Sequence, residues 1–279
     1  MTALGRLADA AADLFLPRRC VGCGRAGGWL CDSCRAALVP LPATVCGRCG
    51  APHARSVPEC RECRGRGLAF ASARAAFVYE GPARRLVTAC KFRALRPLAA
   101  EMATLAGPAF GRTVAALGGG GGVGLVTCVP VHRERDLERG FDQAALLGRR
   151  LAEAAGLPFA PLLERTQRGR RQSGLAAAER ADNVRGAFTL RDTTADKAGT
   201  VRAVLVVDDV YTTGETLHAC ATALRHAGCE PHAFTFARAA RARSYGDLSD
   251  RRTCTHTTSR VGLSGDDAVD RRYPKEPPS

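Results

Sequence analysis

The stretch Val204-Leu205-Val206-Val207-Asp208-Asp209-Val210-Tyr211-Thr212-Thr213-Gly214-Glu215-Thr216 decides how this 279-residue chain is read. Val201 to Val207 form a continuous apolar strand of the kind buried on both faces of a sheet. Two acids follow at once, then a short loop, then a helix over 215–227. In open parallel sheets, ligands bind outside the carboxyl ends of the strands. Backbone N–H groups and threonine hydroxyls meeting at a helix N-terminus suit a phosphate. The acids just upstream would repel a phosphate but accept hydrogen bonds from sugar hydroxyls. A sugar phosphate satisfies both halves.

Two other readings compete. An apolar strand ending in Asp-Asp also occurs as the Mg²⁺-binding strand of ATPases. That motif needs a partner G-x-x-x-x-G-K-[ST], and none of the three lysines (Lys91, Lys197, Lys275) follows such a glycine pattern. Alternatively the acids are a helix cap and a satisfied ion pair, which leaves Thr-Thr-Gly-x-Thr unexplained.

The remainder of the chain supplies a matching frame. Strands are expected at 75–79, 125–131, 159–163 and 232–237, with helices over 86–91, 97–116 and 137–155. The glycine run from Gly118 to Gly124 reads as a flexible connector, and the arginine-rich stretch 164–185 as a mobile cationic loop. Strand–helix alternation with solidly apolar strands predicts an α/β fold, a parallel sheet covered on both faces. After about residue 240 the chain is polar and reads as a disordered tail.

Apolar residues are 46% and charged residues 24% of the chain, which excludes a wholly disordered, collagen-like or coiled-coil protein. No run of about 18 apolar residues predicts a membrane-spanning helix. The start lacks the basic-then-apolar layout of a secretory signal and reads as a short helix packed on the rest of the chain. The 41 basic against 27 acidic residues leave a net charge of +14, which favours polyanions. All but three of the basic residues are arginine, a bias that also fits a GC-rich genome.

Eight of the 13 cysteines form four CxxC pairs: Cys20/Cys23, Cys31/Cys34, Cys46/Cys49 and Cys60/Cys63. Two intervening residues let both sulfurs enter one tetrahedral site, and zinc takes four such ligands at about 2.3 Å. The segment is too short and too poor in large apolar groups to fold without such a staple. Two structural zinc ions, each held by two pairs, are expected; neighbouring and interleaved pairings both remain open. The spacing suits an iron–sulfur cluster less well. An odd cysteine total without an export signal points to reduced thiols in a cytoplasm. Cys90, Cys128, Cys220 and Cys229 read as small buried hydrophobes.

The segment from Val206 to Thr216 is similar to the diphosphoribosyl-binding signature of type I phosphoribosyltransferases. The wider order narrows the likeness. The cysteine pairs come first, then Lys91-Phe92-Arg93, Val129-Pro130-Val131 and Arg139-Gly140-Phe141-Asp142-Gln143. Gln172-Ser173-Gly174-Leu175 follows with Arg180 and Asn183, and then the signature. Over about residues 14–238 this resembles the ComF family of competence proteins, of the ComFC type.

The resemblance implies a Rossmann-like parallel sheet of the type I phosphoribosyltransferase kind behind a small double zinc ribbon. It implies a short N-terminal helix (1–17), the ribbon (18–66), a phosphoribosyltransferase-like domain (72–240) and the tail (241–279). Asp208 and Asp209 would hold the ribose hydroxyls of phosphoribosyl diphosphate. Val210, Tyr211, Thr212, Thr213, Gly214, Glu215 and Thr216 would wrap its 5′-phosphate. Val131, His132 and Arg133 would meet the diphosphate with Mg²⁺, and Lys91 is the family's basic residue. Gln172, Arg180 and Asn183 belong to the loop that closes over the site in catalysing relatives. Asp142 stands where the family usually has Asn, and Glu215 where a small residue is common. The partners implied are phosphoribosyl diphosphate, other DNA-uptake proteins, and single-stranded DNA held weakly and without sequence preference. A phosphoribosyltransferase and a non-catalytic DNA-binding module that only senses the sugar phosphate are the two competing classes.

Overall fold

The computed structural model describes residues 18–92, 96–118, 122–131, 142–166, 186–191 and 201–239. The expected N-terminal helix, most of the cationic loop and the tail lie outside the described residues. His132, Arg133, Gln172, Arg180 and Asn183 lie outside them too.

The described elements run in chain order as α1 (Asp32–Ala36), β1 (Ala73–Val78), α2 (Gly81–Phe92), α3 (Arg96–Leu117), β2 (Val123–Cys128) and α4 (Gln143–Ala154). β3 (Leu163–Arg165), β4 (Phe188–Leu190), β5 (Ala203–Tyr211), α5 (Glu215–His226) and β6 (Glu230–Arg238) follow. β1, β6, β5 and β2 form a four-stranded sheet in that order, with every pairing parallel. β3 and β4 make a separate antiparallel pair. No helix among the described residues is long and apolar enough to cross a membrane.

Strand alternation divides the core into two layers. Leu205 and Val207 of β5 and Phe234 and Phe236 of β6 face α2, α3 and α4, packing with Leu86, Met102, Phe110 and Leu147. Val204, Val206 and Ala233 face the other way, onto Leu217, Cys220 and Leu224 of α5. The cysteine-rich segment contributes to both layers. Cys20, Leu30, Cys34 and Leu38 join the first, while the four later cysteines and Phe70 join the second. The segment therefore wraps the sheet at its β1 edge. There Leu41 donates to the Ala76 carbonyl (3.0 Å) and Val78 to the Val39 carbonyl (2.8 Å). A sheet edge that would otherwise offer unpaired amides is covered. At the opposite edge, Val126 pairs with Phe159 in an isolated bridge. The strand expected at 159–163 is thus reduced to that bridge, and β3 begins only at Leu163.

Two further expectations shift. The glycine run is not wholly connector, because Gly124 lies inside β2, where a Cβ would come within 2.6 Å of Val201. The strand expected to stop at Val207 runs on to Tyr211, because β6 pairs with it as far as Arg238.

Candidate functional site

β2 pairs with β5 only as far as Cys128 opposite Val207, whereas β6 continues to Tyr211. At Asp208, β5 has lost one neighbour, at the carboxyl end of the sheet where open parallel sheets hold ligands in a crevice. Adjacent strand residues start toward opposite faces. Asp209 turns to the α2–α4 side, is 8% exposed, and meets two side chains there. Lys91 Nζ, at the end of α2, lies 3.0 Å from its Oδ1. Gln143 Nε2, in the first turn of α4, donates to its Oδ2 at 2.8 Å. Asp208 is half-buried and accepts the Asp209 amide at 2.8 Å.

The electrostatics are those of an acid pair short of cations. Burial, then the charge of Asp209, push Asp208 up to about 8, against the pull of Lys91. Burial alone would lower Lys91, but the charges of Asp209 and Asp208 outweigh it and hold the ammonium above its ordinary value. Gln143 is buried, and its Oε1 accepts from no donor among the described residues. Such an orphaned acceptor beside a carboxylate awaits a hydroxyl or water.

Beyond Tyr211 the chain turns at Thr212-Thr213-Gly214 into α5. Gly214 is the helix N-cap, with φ +83°, and a Cβ there would fall 2.5 Å from the Tyr211 hydroxyl. Thr212, Thr213, Glu215 and Thr216 are exposed at the first turn of α5, where the Glu215 amide donates to Thr213 Oγ1 at 3.5 Å. Val210 is half-buried and packs on the first core layer. Tyr211 differs from the rest of the expected phosphate-wrapping residues. It is 2% exposed, edge-on to Phe70 (6.3 Å between centroids), and lies under the Arg238 guanidinium at 4.0 Å. Tyr211 anchors the turn from below. Val131 ends the described part of the segment after β2.

Both departures from the family pattern have local partners. Asp142 caps α4, its Oδ1 accepting from the Ala145 amide at 2.8 Å. Glu215 pairs with Arg66, which also donates to the Thr213 carbonyl at 2.7 Å. Arg66, Gln143 and Arg238 were not foreseen as site residues. Gln143 stands in the Arg-Gly-Phe box, but Arg66 and Arg238 are two arginines among many, with no local pattern to mark them.

The eight knuckle cysteines fall into two sets, Cys20/Cys23/Cys31/Cys34 and Cys46/Cys49/Cys60/Cys63, with all sulfurs of a set within 4.8 Å of one another. Neighbouring pairs share a centre, which excludes the interleaved arrangement. Within the second set Cys46–Cys63, Cys49–Cys60 and Cys60–Cys63 are 3.6, 3.5 and 3.7 Å apart. Four sulfurs at about 2.3 Å around zinc would be separated by about 3.8 Å, so the sets fit the ion. Burial disfavours ionisation in both sets: it holds Cys34, Cys49 and Cys63 above the ordinary thiol value, while backbone amides reaching the sulfurs bring Cys20 and Cys46 down to about 7.

The chain has likenesses among known proteins. Residues 11–64 match the double zinc ribbon domain. Competence protein F of Haemophilus influenzae is 35% identical over 103 residues, covering 37% of this chain and 44% of that protein. The chain thus spans less than half of that relative. Competence protein ComFC of Bacillus subtilis is 28% identical over 205 residues, covering 71% of this chain and 79% of that one. Among solved structures, a glutamine phosphoribosylpyrophosphate amidotransferase from B. subtilis, complexed with ADP and GMP, is 25% identical. It covers 46% of this chain and 25% of that one, with a TM-score of 0.29. The two four-cysteine centres, the parallel α/β sheet behind them and these likenesses make this chain similar to competence proteins, to one of them over 71% of this chain's length.

Proposed function

We propose that this protein binds phosphoribosyl diphosphate with Mg²⁺ in a phosphoribosyltransferase-like domain (72–240). We further propose that it serves the handling of transforming single-stranded DNA, or nucleotide metabolism linked to it. One observation carries the reading. Two adjacent acids stand near the end of a central strand, just past the point where one neighbour has left, and a glycine-capped helix N-terminus follows within five residues of them.

Asp208 and Asp209 accept the ribose hydroxyls, and the orphaned Gln143 Oε1 takes a further donor from ligand or water. Thr212 to Thr216 present amides and hydroxyls to the 5′-phosphate. Lys91 neutralises the acids when no ligand is present and yields Asp209 to the diol when one arrives. Val131, His132 and Arg133 meet the diphosphate, and Gln172, Arg180 and Asn183 come from the covering loop. The crevice offers carboxylate and amide oxygens, the hard donors that suit Mg²⁺. When bound, Mg²⁺ would neutralise charge on the diphosphate as a leaving group. The residues of this chain orient the sugar so that its anomeric carbon faces the crevice, where a nitrogen nucleophile would attack.

The relatives are named competence proteins. The excess of arginine supports weak, salt-sensitive contact with DNA phosphates, and other uptake proteins are candidate partners. Two zinc centres held by reduced thiols support a cytoplasmic setting.

The test is thermal stabilisation. Phosphoribosyl diphosphate at about 100 times its Kd should stabilise the zinc-loaded protein by about 2.7 kcal/mol in the presence of Mg²⁺. The gain should vanish without Mg²⁺ and in the Asp208→Asn/Asp209→Asn variant. Gel shifts with single-stranded DNA should survive that variant and disappear at moderate salt. DNA binding that is intact while no stabilisation occurs in the native protein would favour the binding-module class.

A further inference from the structure

The two metal centres are not equivalent toward the crevice. Described polar contacts of the first run to α2 and α3, through Arg85 to the Gly22 carbonyl and Arg35 to Glu101 at 2.7 Å. The second is tied to the turn after β5 at three places. Arg238, 4% exposed at the end of β6, donates through Nη1 to the Cys49 carbonyl at 2.7 Å. Its Nη2 lies 3.8 Å from Cys49 Sγ and 3.4 Å from Glu62 Oε2, while the guanidinium covers the Tyr211 ring. Arg66, three residues past Cys63, holds the Thr213 carbonyl and Glu215. The Ala69 amide donates to His218 Nδ1 in the second turn of α5 at 2.9 Å.

A buried guanidinium shared between a metal-ligating cysteine and a ring under the turn is costly unless both sides hold it. Groups just outside a metal's ligands orient them, and the ligands orient those groups in return. Gly214 sits directly over the Tyr211 hydroxyl, so a shift of that ring moves the helix cap.

We propose that Arg238 is a positioning residue that makes the second cysteine centre part of the anion site. Through Cys49 and Tyr211, with Arg66 as a second strut, the filled centre holds Tyr211–Glu215 in its ligand-ready shape. By linkage, a ligand in the turn slows loss of that metal. The inference rests on the sugar-phosphate reading for its ligand, though not for its mechanical half.

The test uses the full chain with zinc in both centres, and reads amide hydrogen exchange at residues 211–217. Cys60→Ser, which breaks the second centre, should raise exchange there at least about fivefold, whereas Cys23→Ser, in the first, should leave it unchanged. Arg238→Met should raise it similarly while still holding two zinc ions per chain. Arg66→Gln, on a partly exposed side chain, should raise it about twofold and serves if Arg238→Met does not fold. Release of zinc to a colorimetric chelator should slow at least about fivefold from one centre only when phosphoribosyl diphosphate and Mg²⁺ are added, within the range of coupled sites. In Arg238→Met this protection should fall below about twofold. Unchanged exchange in both arginine variants, or an equal rise on losing either centre, overturns the proposal. So does ligand that binds the native protein without slowing zinc release. If the exchange results hold but phosphoribosyl diphosphate fails to bind the native protein, the coupling stands and the sugar-phosphate reading fails.

Discussion

Asp208 carries a conflict between stability and binding that sets its pH behaviour. Its folded carboxyl is raised to about 8 from an ordinary 3.8, by burial first and Asp209 second. Below pH of about 4, folded and unfolded chains both hold the proton. Between about 4 and 8 the folded chain keeps a proton that the unfolded chain has released, so stability falls as pH rises through this window. Above about 8 the effect levels off. Asp208→Asn, which mimics the protonated acid, should therefore raise Tm little at pH 4.5 and by several degrees at pH 8, in melts across that range, while abolishing ligand stabilisation. Lys91→Met acts in the opposite sense, because it leaves Asp209 without its cation. The pair is partly exposed, which places the expected loss at about 1–3 kcal/mol, measurable by urea denaturation.

The turn between β5 and α5 depends on Gly214. An alanine there would take a left-handed backbone, costing about 1–2 kcal/mol, and would press its Cβ on the Tyr211 hydroxyl. Gly214→Ala should lower stability by about 2 kcal/mol or more and weaken ligand binding at least tenfold by calorimetry. Asp142→Ala, which removes the α4 cap that precedes Gln143, should cost about 1 kcal/mol. The apolar runs of β5 and β6 are legible in the sequence because both faces of those strands are buried. The end of β5 is not. From the sequence the strand stops at Val207, and only the continuing partner β6 keeps Asp208 and Asp209 in the ladder. The acid pair, the threonines and the glycine stand out in the sequence as a candidate ligand turn, and the structure places them together from the end of β5 to the start of α5. Lys91 is marked by its isolation among arginines and by the family pattern, but its ion pair needs the whole of α2 to deliver it. Arg66 and Arg238 stay hidden because their partners lie 147 to 189 residues away in sequence.

Among the described residues, a sheet is gripped at one edge by a wrapper built around two four-cysteine centres. The knuckle segment has almost no apolar periodicity, so nothing in its pattern reveals that its two centres dock on opposite sides of the sheet. Chelation should expose the β1 edge and parts of both core layers together. Stripped protein is expected to bind a hydrophobic dye and scatter light within one Tm scan, with both signals reversed by added zinc. An unchanged Tm after complete zinc removal would show that the wrapper is dispensable. The decisive measurement is a crystal structure of the zinc-loaded protein with phosphoribosyl diphosphate and Mg²⁺. The ribose hydroxyls should lie about 2.6–3.0 Å from the carboxylates of Asp208 and Asp209, with the 5′-phosphate on the amides of residues 212–216. A pentose bound elsewhere, with Lys91 still closed on Asp209 and the turn empty, would contradict that assignment.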